Sequence, residues 1–283
     1  MKRLILLIIV LLISIQVFAG VVTAKELADM MKSENVVVVS ARNPSDYASK
    51  HITGAINLYP NDLYAAEGVE AMLKPVAEIA KILGETGISA DSKIVIYDDG
   101  SNKAAGRLYW ILKYMGAKDM SILDGHIKSW MKARKPVTAK ATEVAPVTFN
   151  ASVNENIYAS MDYVRSHLAD KGVLLVDVRS PEEFMGKNED EKLKRKGHIP
   201  GAINFNYVQL LNEDETLKSK EEIAALLKSA NITSDKEIIL YCATSVRAGI
   251  VYVALTSLLD YPQVRVYDGA FYEWDSDSSN LVE

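Results

Sequence analysis

The chain's only cysteine, Cys242, opens the run Cys242-Ala243-Thr244-Ser245-Val246-Arg247. Before it, Ile238-Ile239-Leu240 reads as a buried strand; after it, Ala248 to Leu255 reads as a buried helix. The cysteine is therefore expected at the carboxyl end of a strand, where a helix starts. Open α/β sheets put their ligand sites there. Three effects favour a thiolate at such a place. The first helical turn has backbone N–H groups without intrahelical partners. Aligned peptide dipoles put partial positive charge at that end. Arg247 closes the loop with a fixed cation, and a thiol so placed is a strong nucleophile. A short loop curling round the sulfur also presents the amides of Ala243, Thr244, Ser245, Val246 and Arg247 as an anion nest. A small buried core cysteine is the bland alternative, but it leaves the order strand, cysteine, polar residues, arginine, helix unexplained.

Two flanking segments join the pattern: Gly197-His198-Ile199-Pro200-Gly201-Ala202-Ile203-Asn204 upstream, and Tyr267-Asp268-Gly269 with Glu273-Trp274 near the end. With the cysteine loop they resemble the tandem-domain rhodaneses, the thiosulfate/3-mercaptopyruvate sulfurtransferase group, over nearly all of the chain after its leader. The resemblance implies an α/β fold of two tandem rhodanese-like domains, each a parallel sheet with helices on both faces. It implies sulfur transfer from thiosulfate to cyanide or a thiol through a persulfide on Cys242, held by the amides of residues 243–247. Arg247, Thr244 and Ser245 would meet the donor's sulfonate oxygens. Arg179 would either pair with Asp177 near the loop or touch the donor. No cofactor and no metal are implied.

Departures from the family bear on the donor. Animal thiosulfate enzymes tend to follow the cysteine with Arg and Lys, where Ala243 and Thr244 stand here. Mercaptopyruvate enzymes tend to carry two glycines that this loop lacks. Glu183 stands where some members have a second substrate arginine. Arg247 looks more like the bacterial thiosulfate enzymes, so thiosulfate is the first expectation and 3-mercaptopyruvate the second. A cysteine phosphatase of related fold needs five residues between Cys and Arg; here four intervene, Ala243 to Val246. A sulfur carrier without turnover is the other rival.

The elements that position this loop occur twice. Tyr97-Asp98, Asp124-Gly125 and Trp130 lie 144 residues before Tyr241-Cys242, Asp268-Gly269 and Trp274. His51-Ile52-Thr53-Gly54-Ala55-Ile56-Asn57 answers the segment from His198 at an offset of 147, and Val38 to Arg42 answers Leu175 to Arg179 at 137. The change in offset marks an insertion in the second copy, in the charged run Lys187 to Lys196. That run reads as a solvated loop, or as a cationic one steering anions. Strand and helix patterns alternate in each copy, which argues for parallel sheets covered by helices. Ser180-Pro181-Glu182-Glu183 reads as a capping box with Pro at the first helical position, and Asn43-Pro44 caps the matching helix. Lys135 to Pro146 lacks periodicity and reads as extended. The expected domains are 20–137, non-catalytic, and 153–283, catalytic, joined by 138–152.

The first copy has Asp98 where the second has the cysteine, with Asp99 beside it. A carboxylate cannot carry a sulfane sulfur, so this copy is expected to be silent and to wall the cleft. His198 and its counterpart His51 read as structural. His126 and His167 have no chemical company in the sequence. Trp130 and Trp274 read as core.

With 283 residues, 49% hydrophobic, 24% charged and a net charge of −5, the chain is ordinary for a globular protein. No basic face suggests nucleic acid. One cysteine excludes an internal disulfide and a multi-cysteine metal site. Met1-Lys2-Arg3, the apolar run Leu4 to Ile13 and Val17-Phe18-Ala19 form the three parts of a signal peptide, residues 1–19. A second cut after Ala24 is possible, and an uncleaved anchor is the rival. Cleavage predicts a periplasmic or secreted protein without stable membrane association, with a small anionic donor and a thiol or cyanide acceptor as partners.

Overall fold

Two copies of one βα pattern account for residues 20–283, the part of the chain that the computed structural model describes. The first copy runs β1 (Val21–Val22), α1 (Ala24–Ser33), β2 (Val36–Ser40), α2 (Pro44–Ser49), β3 (His51–Ile52), β4 (Ile56–Asn57), α3 (Val76–Glu85), β5 (Lys93–Tyr97), α4 (Lys103–Met115), β6 (Asp119–Leu123), α5 (His126–Lys132) and β7 (Val137–Thr138). The second runs β8 (Tyr158–Ala159), α6 (Met161–His167), β9 (Val173–Asp177), α7 (Pro181–Phe184), β10 (Ile203–Asn204), α8 (Lys220–Ser229), β11 (Glu237–Tyr241), α9 (Ala248–Val253), β12 (Val264–Tyr267) and α10 (Ala270–Ser276). The expected signal peptide lies outside the described residues. Among the described residues no helix is long and apolar enough to cross a membrane.

Each copy has one five-stranded parallel sheet, ordered β1-β6-β5-β2-β4 and β8-β12-β11-β9-β10. The two orders are the same, as a duplication requires. The central strands β5 and β11 each have a neighbour on both sides and are buried from their second residue on. That is why they read as unbroken apolar runs. Helix starts are set locally. Thr23 with Glu26, Ser180 with Glu183 and Ser219 with Glu222 form complete capping boxes, and the Asn43 side chain accepts from the Asp46 amide. The stretch after β7 is extended and pinned to the first domain. Val147 N–H donates to Gly84 O (2.9 Å) and Ser152 N–H to Met115 O (3.0 Å).

The domains meet through α4 and α9, inside one apolar cluster that spans both. These helices cross backbone against backbone. A Cβ on Gly106 would stand 2.4 Å from Ile250 N, and one on Gly249 would stand 2.3 Å from Gly106 C. Two glycines are needed for that approach. Beside the crossing, Arg107 of the first domain and Asp268 of the second form a fully buried ion pair at 2.5 Å. Two aspartates repeat one contact across the interface: Asp268 Oδ2 accepts from Leu73 N–H (3.1 Å), and Asp124 Oδ1 accepts from Leu217 N–H (2.9 Å). The interface thus carries approximate two-fold symmetry, with the ion pair added on one side.

Candidate active site

β11 delivers Cys242 to the sheet's carboxyl edge, and the loop 242–247 returns the chain into α9. Cys242 O accepts from Phe271 N–H and Ala243 O from Tyr272 N–H, each at 3.0 Å. In a trans peptide the N–H points opposite to the C=O, so the amides of Ala243 and Thr244 face the other way, into the loop. Ser245 holds a left-handed φ of 61°, a conformation that converges neighbouring amides. Among the described residues, none of the five amides from Ala243 to Arg247 donates to a protein acceptor. Cys242 and Ser245 are fully buried, and Ser245 Oγ has no hydrogen-bond partner. Thr244 and Val246 are half-buried.

Arg247 turns its guanidinium end onto Glu183. Nη1 donates to Oε2 at 2.6 Å and Nη2 to Oε1 at 2.7 Å. Burial opposes the Arg247 charge, but Glu183 and the neighbouring Cys242 outweigh it and raise the guanidinium's pKa. Burial likewise pushes the Glu183 carboxyl up, and Arg247 overrides this and holds it below its ordinary value. The capping box read in the sequence is thus a mount. Glu183 Oε2 also accepts from the Ser180 amide at 3.1 Å.

Arg179 is engaged by Asp177. It is buried, with Nε and Nη2 on the Asp177 carboxylate (2.9 and 2.6 Å), Nη2 also on Gly197 O (2.8 Å), and its guanidinium over the Phe271 ring at 4.2 Å. Of the two expectations for this residue, the geometry has the Asp177 pair. His198 stacks on Phe184 and meets Phe184 O through Nδ1 (3.0 Å); His51 stacks on Tyr47 and meets Tyr47 O (2.7 Å). The same contact in both copies makes these histidines structural. Trp130 and Trp274 each donate from Nε1 to a carbonyl at 2.9 Å, on Pro136 and Leu281.

In the first copy the matching place is filled. The buried Asp98 carboxylate takes amides of its own loop and of the helix after it: Oδ1 accepts from Gly100 N–H (2.8 Å) and Asn102 N–H (3.3 Å), and Oδ2 from Ala105 N–H of α4 (3.1 Å). His126, given no partner in the sequence reading, in fact sits beneath this loop. Its Nδ1 accepts from Asp98 N–H at 2.9 Å, which leaves Nε2 to donate to Asn102 Oδ1 at 2.8 Å. Ala270 takes the equivalent position in the second copy, and both residues hold a left-handed φ. The first domain comes up to the cysteine loop at one point. Asp98, Asp99, Ser101 and Lys103 share a cavity of about 280 Å³ with Val246 of the cysteine loop.

The charged insert reaches the site, and three of its cations are paired with acids. Asp190 accepts from the Tyr272 hydroxyl at 2.8 Å, beside the loop. Lys192 pairs with Glu70, Arg195 with Asp275 and Lys196 with Glu189, and Lys194 Nζ donates to Ser276 O. Sequence reasoning also missed Tyr207. Burial raises its hydroxyl pKa; the nearby Arg247 charge opposes that shift, while Cys242, Asp98 and Glu183 add to it. Its only signal was its place shortly after Asn204, at the start of a short 3₁₀ turn.

A rhodanese-like domain model matches residues 23–133 and again 160–277. The chain is 30% identical over 270 residues to a thiosulfate sulfurtransferase of Azotobacter vinelandii, covering 94% of this chain and 98% of that protein. It is 37% identical over 216 residues to the sulfur carrier protein TtuD of Thermus thermophilus, covering 72% and 74%. Among solved structures, a persulfide-bearing variant of EanB, in a tetrahedral intermediate state with ergothioneine, is similar with a TM-score of 0.86 at 26% identity, over 94% of this chain and 70% of that one.

Proposed function

The chain belongs to the rhodanese-like domain family, in two copies, and on that premise we propose that its second copy moves sulfane sulfur from thiosulfate to a thiol or cyanide through a Cys242 persulfide. The observation that carries this reading is the contrast between the two loops. Asp98 satisfies its loop's amides internally, whereas the amides from Ala243 to Arg247 stay free around the only cysteine. An anion formed on that sulfur would be received by donors already in place, which is preorganised stabilisation.

Thiolate Cys242 attacks the outer sulfur of thiosulfate. The S–S bond of the donor breaks, sulfite leaves with the electron pair, and the product is an anionic persulfide. Cyanide or a thiolate then attacks the outer persulfide sulfur and departs as thiocyanate or a persulfide, restoring the thiolate. Splitting the transfer this way is covalent catalysis, and the two partners need not meet. Arg247 serves the sulfur as counter-ion, with Thr244 and Ser245 beside the donor. The first copy supplies a wall and no chemistry.

Intact mass spectrometry after thiosulfate treatment is the test. Gain of one sulfur atom, lost on adding cyanide and absent in Cys242→Ser, is the expected result; uptake by Cys242→Ser would end the proposal. A second reading, a carrier that loads sulfur without steady turnover, draws on the likeness to a sulfur carrier protein. Multiple turnovers of thiocyanate per protein decide against it. We also propose that the leader is removed after Ala19 and the protein exported. A cut after Ala24 would strip β1 and the Thr23 cap of α1, and a cut after Ala19 spares both. Amino-terminal sequencing of exported protein distinguishes the two.

A further inference from the structure

Arg42 is the first-copy counterpart of Arg179, and the acid two residues before it has changed. Where the second copy has Asp177, the first has Ser40, at the same offset of 137. In the second copy Asp177 Oδ1 accepts from both the Arg179 backbone N–H (2.9 Å) and Arg179 Nε (3.0 Å). In the first copy both donors have lost that acceptor. Among the described residues the Arg42 backbone N–H donates to nothing, and its Nε is buried without a partner. Ser40 Oγ, on a fully buried residue, is unpartnered too. Arg42 Nη1 still donates to Lys50 O (2.6 Å), as Arg179 Nη2 does to Gly197 O, so the guanidinium is held at the matching turn.

This arginine lines the cavity of about 280 Å³ that reaches Val246. Lys103, the counterpart of Arg247 at the offset of 144, lines it as well. So do three acids, each already accepting hydrogen bonds: Asp98 from three amides, Asp46 from Asn43 Nδ2 (2.5 Å) and Asp99 from Ser101 N–H (2.9 Å). We propose that this cavity is a binding site for a small monocarboxylate, whose carboxylate takes from Arg42 the hydrogen bonds that Arg179 gives to Asp177. Two oxygens in one plane match the paired donors of an arginine. Lys103 adds a second cation, and the three acids oppose a second negative charge on the ligand. The site lies in the copy without the cysteine, needs no sulfur chemistry, and stands independently of the persulfide reading.

Trifluoroacetate is the probe, because it stays a monoanion at every working pH and its fluorine NMR signal broadens on binding. Wild type should broaden the signal. Acetate should reverse this by competition, and chloride at equal ionic strength should not. Ser40→Asp rebuilds the acid of the second copy and should weaken binding about tenfold or more, the effect of withdrawing charged hydrogen bonds from the ligand. Its melting temperature should equal or exceed that of wild type, because Arg42 regains a partner. Arg42→Gln should lose binding as fully, and Lys103→Gln should lose part of it. Trifluoroacetate taken by the cysteine loop is common to all of these proteins, so the differences report the first-domain cavity. Equal broadening by wild type, Ser40→Asp and Arg42→Gln means a solvated cavity only and overturns the proposal. A melting temperature of Ser40→Asp below wild type also overturns it, since a carboxylate would then sit badly against Arg42. Sulfate competing as well as acetate overturns the assignment to a single charge.

Discussion

Asp98 and Cys242 hold the same place in the two halves, 144 residues (242 − 98) apart, and use it in opposite ways. Asp98 closes its loop by accepting two of the loop's own amides and one from the first turn of α4; among the described residues, the five amides after Cys242 stay unclaimed. One half has settled the electrostatics of the loop internally, and the other has not.

The first prediction follows from that pairing. Asp98→Ala strands three buried donors and should cost about 2–4 kcal/mol in chemical denaturation. It should not create sulfur uptake. Asp98→Cys in a Cys242→Ser background should also fail to load sulfur, because that loop has five residues before its helix where the cysteine loop has six, and it has no arginine. Mass spectrometry checks both.

Arg107 is buried with Nε and Nη1 unpartnered, and among the described residues Asp268 is the one acid paired with it. Asp268→Ala should destabilise by about 3–5 kcal/mol, since it leaves a buried charge unpaired. Arg107→Met combined with Asp268→Asn should recover most of that loss. Guanidinium denaturation of the single and double variants makes the comparison, with additivity as the outcome that contradicts coupling.

At the helix crossing, Gly249→Val should be worse than most core substitutions. Its Cβ meets the Gly106 and Arg107 backbone at 2.3–2.4 Å, and backbone cannot rotate away as a side chain can. Separation of α4 from α9 should lower the melting temperature and expose the shared core to a hydrophobic dye. Gly68→Ala, with nothing near its Cβ position, should be much milder despite its left-handed φ of 93°.

The Glu183 clamp carries a pH signature. Its folded pKa lies below the ordinary 4.5, because Arg247 overrides burial. A carboxyl depressed on folding contributes stability above its unfolded pKa, and that contribution is lost as pH falls through the folded value. Wild type should therefore exceed Glu183→Gln by about 1–2 kcal/mol at neutral pH. The gap should close as pH drops below 4.5. Denaturation curves on both sides of that pH check the sign.

Much of this was legible in the chain. The caps at Ser180 and Asn43, the strands before Asp98 and Cys242, and the duplication itself rest on local pattern, and local pattern survives folding unchanged. The pairing of Arg179 with Asp177 was one of two options in the sequence, since two residues in an extended chain can turn to the same side. His126 was opaque for the opposite reason. Its partners lie 24 and 28 residues away, on another loop, and no periodicity connects them.

By itself the sequence determined that the single cysteine would stand at a strand-to-helix turn in the later of two sister domains, because strand, helix and caps are written in neighbouring residues. Only the tertiary structure decided how that sulfur is served. Glu183, 64 residues from Arg247, takes the guanidinium end that the loop alone would leave for a substrate. Lys192 and Arg195 of the insert go to acids 122 and 80 residues away. Charges pair by distance in space, and separation along the chain carries no record of it.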